Sequence, residues 1–159
     1  MRTVEAVRPI VIEQNAKRRH WDTQDSAFVG DYLREEFHEL ERAFWPDETD
    51  RWEIASELGD VGYLMIRLEE QMRREGIEEM PADIFFFYRL AQNVSQSVGI
   101  NFGDAIFMKA VRNDLKYPFA VTSGFDTYEE GRTVSKGMWA QMGGDKAFYK
   151  WYESAFGKI

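Results

Sequence analysis

Between Ile54 and Met72 the apolar residues Ile54, Leu58, Val61, Met65, Leu68 and Met72 recur at steps of three and four. An α-helix returns such positions to one side, because each residue turns the chain by about 100°. The same period runs through Val29, Leu33, Leu40 and Phe44, which share an arc of about 60°. Alternation of the strand period is scarce, so the chain is expected to be all-α, an antiparallel bundle of about five to six helices. Helices are expected at about Val4 to His20, Ser26 to Phe44, Arg51 to Arg74, Ala82 to Val98 and Asn101 to Tyr117. Gly76, Pro81 and Gly99 punctuate them.

Two acidic clusters lie on the expected second and third helices: Glu35, Glu36 and Glu39, then Glu57 and Asp60. Within each cluster the acids are one turn apart, Glu36 with Glu39 and Glu57 with Asp60. The segment from Ala43 to Asp50 holds Pro46 and several turn formers, so the two helices can fold back as a hairpin and bring four carboxylates together. Glu36 projects into the apolar arc of its helix, where a carboxylate is partly buried; Glu39 lies at the arc's edge, and His38 faces away. Each acidic run alone is an ordinary solvated face. Four carboxylates at hairpin spacing repel one another unless a cation sits among them, and an all-oxygen donor set suits Mg²⁺ or Mn²⁺.

A third element is cationic. Lys109, Arg112, Asn113 and Lys116 occupy i, i+3, i+4 and i+7, one face of a helix, with Phe107, Met108, Val111 and Leu115 on the other. Lys and Arg supply charge and Asn a directional amide, a combination that suits phosphate oxygens. A solvated basic stripe would have the same spacing.

These residues resemble a family. The EExxE run at Glu35 to Glu39, followed across a hairpin by ExxD at Glu57 to Asp60, is similar to the MazG-type all-α nucleoside triphosphate pyrophosphohydrolases. The run from Lys109 through Asn113, Lys116 and Tyr117 to Pro118 resembles the segment that closes the nucleotide site in the branch related to dCTP pyrophosphatase. The resemblance covers about Trp21 to Pro118. It implies a Mg²⁺-dependent enzyme, Mn²⁺ being a substitute, that splits a nucleoside triphosphate into monophosphate and pyrophosphate. Glu36, Glu39, Glu57 and Asp60 then match metal ligands, with Glu35 in an auxiliary catalytic role. Lys109 and Asn113 match phosphate and nucleotide contacts, with Arg112, Lys116 and Tyr117 as neighbours on the substrate. Trp21 lies near an upstream aromatic that contacts the base, and Trp45 and Tyr63 sit about one residue from aromatic positions of that branch. The resemblance also implies a homodimer or homotetramer.

Composition narrows the partners. With 20 basic against 28 acidic residues the net charge is −8, which argues against nucleic acid and leaves a small nucleotide met by local cations. The chain lacks cysteine and has two histidines, so thiol catalysis and a zinc site have little to draw on. No apolar stretch reaches membrane-spanning length and no signal-peptide core opens the chain, so a cytoplasmic protein without a membrane partner is expected. Aromatic residues make up 15% of the chain, and the run Phe85, Phe86, Phe87, Tyr88 cannot face one side of a helix. Such a run packs inside a bundle or at a subunit interface.

By length the chain is a single folding domain, in which a helical bundle with the metal and nucleotide site is expected over residues 1–118. An extension over 119–159, rich in glycine and aromatics, should pack on the bundle or on a partner subunit. Gly124, Gly131, Gly137, Gly143 and Gly144 break it, and Lys146 to Phe156 form a short helix bearing aromatics. Three other readings stay open. A di-iron carboxylate protein needs Glu-x-x-His on two helices, and only Glu35 with His38 fits. A noncatalytic interaction protein leaves Glu36 in the apolar arc without a reason. A hydrolase of the same fold acting on phosphoribosyl-ATP or an alarmone is separated by substrate, not by sequence.

Overall fold

The computed structural model describes residues 1–45 and 50–159, so the hairpin turn expected around Pro46 lies outside the described residues. The described residues are all-α, with no strand among them. They carry α1 (Val4–Lys17), α2 (His20–Thr23), α3 (Ser26–Phe44), α4 (Arg51–Glu75), α5 (Ala82–Val98), α6 (Phe102–Lys116), α7 (Phe119–Thr122), α8 (Tyr128–Gln141) and α9 (Gly144–Phe156). Two compact units result: residues 1–109 with Ile159, and residues 110–158. The division falls inside α6, after Lys109.

In the first unit α4 is the central helix. From Ile54 to Leu68 each of its residues is buried except Glu57, which is half-buried. A helix enclosed on every side needs neighbours on every side, and α1, α3 and α5 pack on it. The approach of α6 depends on two glycines. A Cβ at Gly59 would sit 2.5 Å from the Ala105 carbonyl oxygen, and one at Gly62 would sit 2.5 Å from the Ile106 side chain. α3 runs antiparallel to α4: the Ser26 amide at its start donates to Glu75 at the far end of α4, while Glu39 approaches Glu57.

Side-chain caps set the helix starts. Asp25 accepts from the Phe28 amide at 2.8 Å and Asp50 from the Trp52 amide at 2.8 Å. Gly76 and Gly99 end α4 and α5 in the left-handed conformation, with Ile77 and Ile100 amides returning to Met72 and Ser95 carbonyls. Arg51, at the start of α4, forks onto the carbonyls of Val98 and Gly99 at 2.6 and 2.8 Å and so satisfies the end of α5.

The first helix is shorter than its period suggests. It stops at Lys17, Arg19 takes a left-handed φ of 57°, and the chain restarts as α2. The break turns His20 inward, where its Nδ1 lies 2.9 Å from the Asn15 amide oxygen. Asn15 also donates to the Val11 carbonyl at 2.7 Å and to the Tyr63 hydroxyl at 3.2 Å, and Tyr63 donates to Gln14 at 2.9 Å. Sequence period alone does not register such a buried polar network, because Gln14 and Asn15 read as solvent-facing.

The second unit contains α7, α8, α9 and the end of α6. Its core is aromatic: Trp139, Phe148 and Tyr152 are buried, and the Trp139 indole donates to Asp145 at 2.9 Å. Gly143 and Gly144, with φ of 106° and 64°, separate α8 from α9 as expected. Gly131 and Gly137 instead lie within α8. Gly131 is a packing residue there, since a Cβ would lie 2.8 Å from the Thr122 backbone. The count of about five to six helices falls short of those described: α2 arises from the break at Arg19, α7 is a single turn after Pro118, and α8 runs through glycines that were read as breaks. No described helix is long and apolar enough to cross a membrane.

Candidate functional site

Glu36, Glu39 and Glu57 converge. One carboxylate oxygen of each lies within 4.8 Å of the others. Their placement follows from the antiparallel packing of α3 on α4, which faces the second turn of α4 toward the middle of α3. Oxygens around a small divalent ion, bound at roughly 2.1 Å, stand about 3 to 4 Å apart, so three carboxylates at this spacing fit Mg²⁺ or Mn²⁺ with little movement. The donor set is oxygen only, which agrees with those ions and not with zinc.

Asp60 is the difference from expectation. It is not in the converged set; its carboxylate pairs with the Lys109 ammonium. α6 covers the side of α4 that carries Asp60, through Gly59 and Gly62, so Asp60 is buried and brought to Lys109 instead of turning with Glu57 into the cluster. The pair still acts on the cluster. The Glu36 carboxyl is pushed up to about 8, first by its burial and then by the Asp60 charge, with Glu39 and Glu57 adding and Lys109 opposing. Glu36 at neutral pH therefore carries a proton that a cation must displace.

Other expected residues lie elsewhere. Glu35 is exposed and outside the converged set. Trp21 packs under the Arg74 guanidinium, 4.7 Å from its ring centroid. Arg74 is near the end of α4, roughly 25 Å along the helix from Glu57 at 1.5 Å per residue, so Trp21 is not beside the carboxylates. The short spacing in sequence was misleading because α3 carries the chain along the length of α4 before Glu36 is reached. Trp45 is 76% exposed, and Tyr63 is committed to the buried polar network. His38 is exposed beside Glu41, as its helical position implies.

In the second unit, Asn113 is buried and Arg112 lies 3.6 Å from Asp145. Leu115, on the side opposite the cationic residues, is 43% exposed, whereas Asn113 on the polar face is buried. Lys116 and Tyr117 meet Arg132 of α8: the Lys116 ammonium and the Arg132 guanidinium stand 5.6 and 5.5 Å from the Tyr117 ring centroid. Burial pushes the Tyr117 phenol up, but hydrogen bonding to Arg132 and the charges of Lys116, Arg132 and Lys136 outweigh it and hold the phenol below its usual value. Arg132 and Lys136 were not singled out in the sequence; their i, i+4 spacing on an amphipathic helix is the signal that points to them. No family model, curated protein or solved structure matches this chain.

Proposed function

We propose that the chain is a Mg²⁺-dependent nucleoside triphosphate pyrophosphohydrolase of the MazG-like kind. It would release nucleoside monophosphate and pyrophosphate in the cytoplasm, acting on surplus or noncanonical nucleotides with a dCTP- or dUTP-like preference. The observation that carries this reading is the convergence of Glu36, Glu39 and Glu57 beside the buried Asp60–Lys109 pair. Glu36, Glu39 and Glu57 would hold the cation, and Asp60 would complete the set or position Lys109. When bound, Mg²⁺ supplies Lewis-acid neutralisation of phosphate oxygens and an acidic site for water. Lys109, held by Asp60 within reach of the cluster, would meet the negative charge that grows on the leaving group. Glu36 would bind only after losing its proton.

Phe85 and Phe86 remain 54% and 58% exposed on α5, which supports assembly as a homodimer or homotetramer through that helix. The hydrolysis reading is tested by a panel of canonical, deoxy and modified nucleoside triphosphates with Mg²⁺ or Mn²⁺, products being resolved by chromatography. Monophosphate and pyrophosphate from a narrow substrate set are expected. Glu57→Gln should abolish that turnover while the helical circular dichroism persists. Full activity in this variant, or no turnover of any nucleotide by the wild type, would overturn the assignment.

A further inference from the structure

In the first unit a cavity of about 300 Å³ lies between the start of α3, the last turns of α4 and the loop that leads into α5. Its floor is apolar, made by the buried side chains of Leu68, Met72 and Ile84. On the α3 side Ala27 leaves it open, since a methyl group is all that this residue extends into the space. The cavity is separate from the carboxylate cluster. Glu36 follows Ala27 by nine residues, which puts it about 180° around α3. Leu68 and Met72 stand roughly 16 and 22 Å along α4 from Glu57 at 1.5 Å per residue.

The rim carries more negative charge than positive. Arg34 is shared between two carboxylates, Asp31 of its own helix at 2.8 Å and Asp83 of α5 at 2.7 Å. Its Nε and Nη2 donate to Asp83 and its Nη1 to Asp31, so the guanidinium ties α3 to α5 and is largely spent. This trio has one negative charge in excess, and the exposed Glu79, in no ion pair among the described residues, adds a second. Small-ligand pockets bury an apolar body and orient it with a few polar groups, and this one lies at the small end of their range of roughly 300–1,000 Å³. An anion would meet net negative charge at the rim. A bare inorganic cation would leave the apolar floor without a partner, and a neutral hydrocarbon would desolvate the rim charges without pairing them.

We propose that this cavity binds a small organic amine in its ammonium form, the apolar body resting on Leu68, Met72 and Ile84 and the charged head meeting Asp31 and Glu79. The shape and charge suit an alkyl or arylalkyl ammonium ion. The site does not rest on the hydrolase reading, since it uses none of the carboxylates of the cluster.

The test is NMR of the full chain carrying ¹³C at the methionine methyl groups, with Met72 assigned as the resonance lost in the volume-conserving Met72→Leu. In EDTA at pH 7, hexylamine, hexan-1-ol and hexanoate present one alkyl body with a positive, a neutral and a negative head. Hexylamine should shift the Met72 methyl saturably and bind at least threefold more tightly than hexan-1-ol, and hexanoate should bind more weakly than either. Glu79→Gln should weaken hexylamine about twofold to threefold and leave hexan-1-ol unchanged, a split that a general loosening of the loop would not produce. Ala27→Leu, which fills the cavity from an exposed position on α3, should weaken hexylamine at least tenfold. If Ala27→Leu loses helical circular dichroism, the split between amine and alcohol in Glu79→Gln decides the question. No saturable shift with hexylamine, binding no tighter than that of hexan-1-ol, or an amine advantage that Glu79→Gln leaves unchanged would overturn the proposal. The readout needs neither a divalent ion nor turnover, so failure of the hydrolase reading and failure of the amine site give different results.

Discussion

Loading the carboxylate cluster with a divalent cation should release a proton from Glu36. The group is raised to about 8 by burial and by the Asp60 charge, against an ordinary value of 4.5. At pH 7 the neutral form then outnumbers the carboxylate by about ten to one, so a cation that requires the carboxylate expels about 0.9 proton. At pH 9 the same arithmetic leaves about 0.1 proton to expel. The apparent dissociation constant for Mn²⁺ or Mg²⁺ should fall about tenfold from pH 6 to pH 7 and level off above about 8. Calorimetry in buffers of different ionisation enthalpy measures the released protons directly. Glu36→Gln should release none. The same shift has a sign for stability. Because the folded value lies above the unfolded one, this group leaves the fold undisturbed below about pH 4.5, and that stability is lost as pH rises through about 8. In EDTA the melting temperature of the wild type should therefore drop between pH 5 and pH 9 relative to Glu36→Gln. Release of less than about 0.3 proton at pH 7, or equal release from Glu36→Gln, would refute the account of Glu36 as a buried cation ligand.

Gly59→Ala should destabilise the chain by about 1–2 kcal/mol, the clash with the Ala105 carbonyl exceeding the gain in helix propensity; a rise in melting temperature would show that α4 and α6 are not in close approach. Asn15→Ala strips partners from His20 and Tyr63 and should cost roughly 2–4 kcal/mol in denaturant unfolding, whereas a loss below about 0.5 kcal/mol would mean that the network does not hold α1 to α4. Arg51→Ala removes two hydrogen bonds to the last carbonyls of α5 and should lower stability by about 1 kcal/mol, with faster amide exchange near Val98; unchanged exchange there would deny the capping role. Phe85→Ser with Phe86→Ser should shift the mass measured by light scattering toward the monomer if α5 forms the subunit contact, and an unchanged mass would remove α5 from it.

The apolar period of residues 54–72 determined by itself that α4 is a helix, and the i, i+3 spacing of Glu36 with Glu39 determined that they share a turn. Local rules of this kind need only the chain's own geometry, which is why the helix starts at Ser26 and Arg51 and the ends at Gly76 and Gly99 also follow from sequence. The side of α4 that Asp60 occupies was not legible in the same way. Whether that side meets water or α6 depends on Gly59 and Gly62 admitting another helix, and only the packing shows that Asp60 is buried against Lys109. Trp21 illustrates the converse: it lies close to Glu36 in sequence and far from Glu57 in space, because an antiparallel hairpin separates positions by helix length. Arg132 and Lys136 join Tyr117 for a third reason, a glycine at 131 that reads as a helix break and serves as a contact. Sequence thus determined the helices and the pairing of acids on each one, while tertiary structure decided which charges meet, since a charge's partner is set by the helix packed against it and not by the turn that carries it.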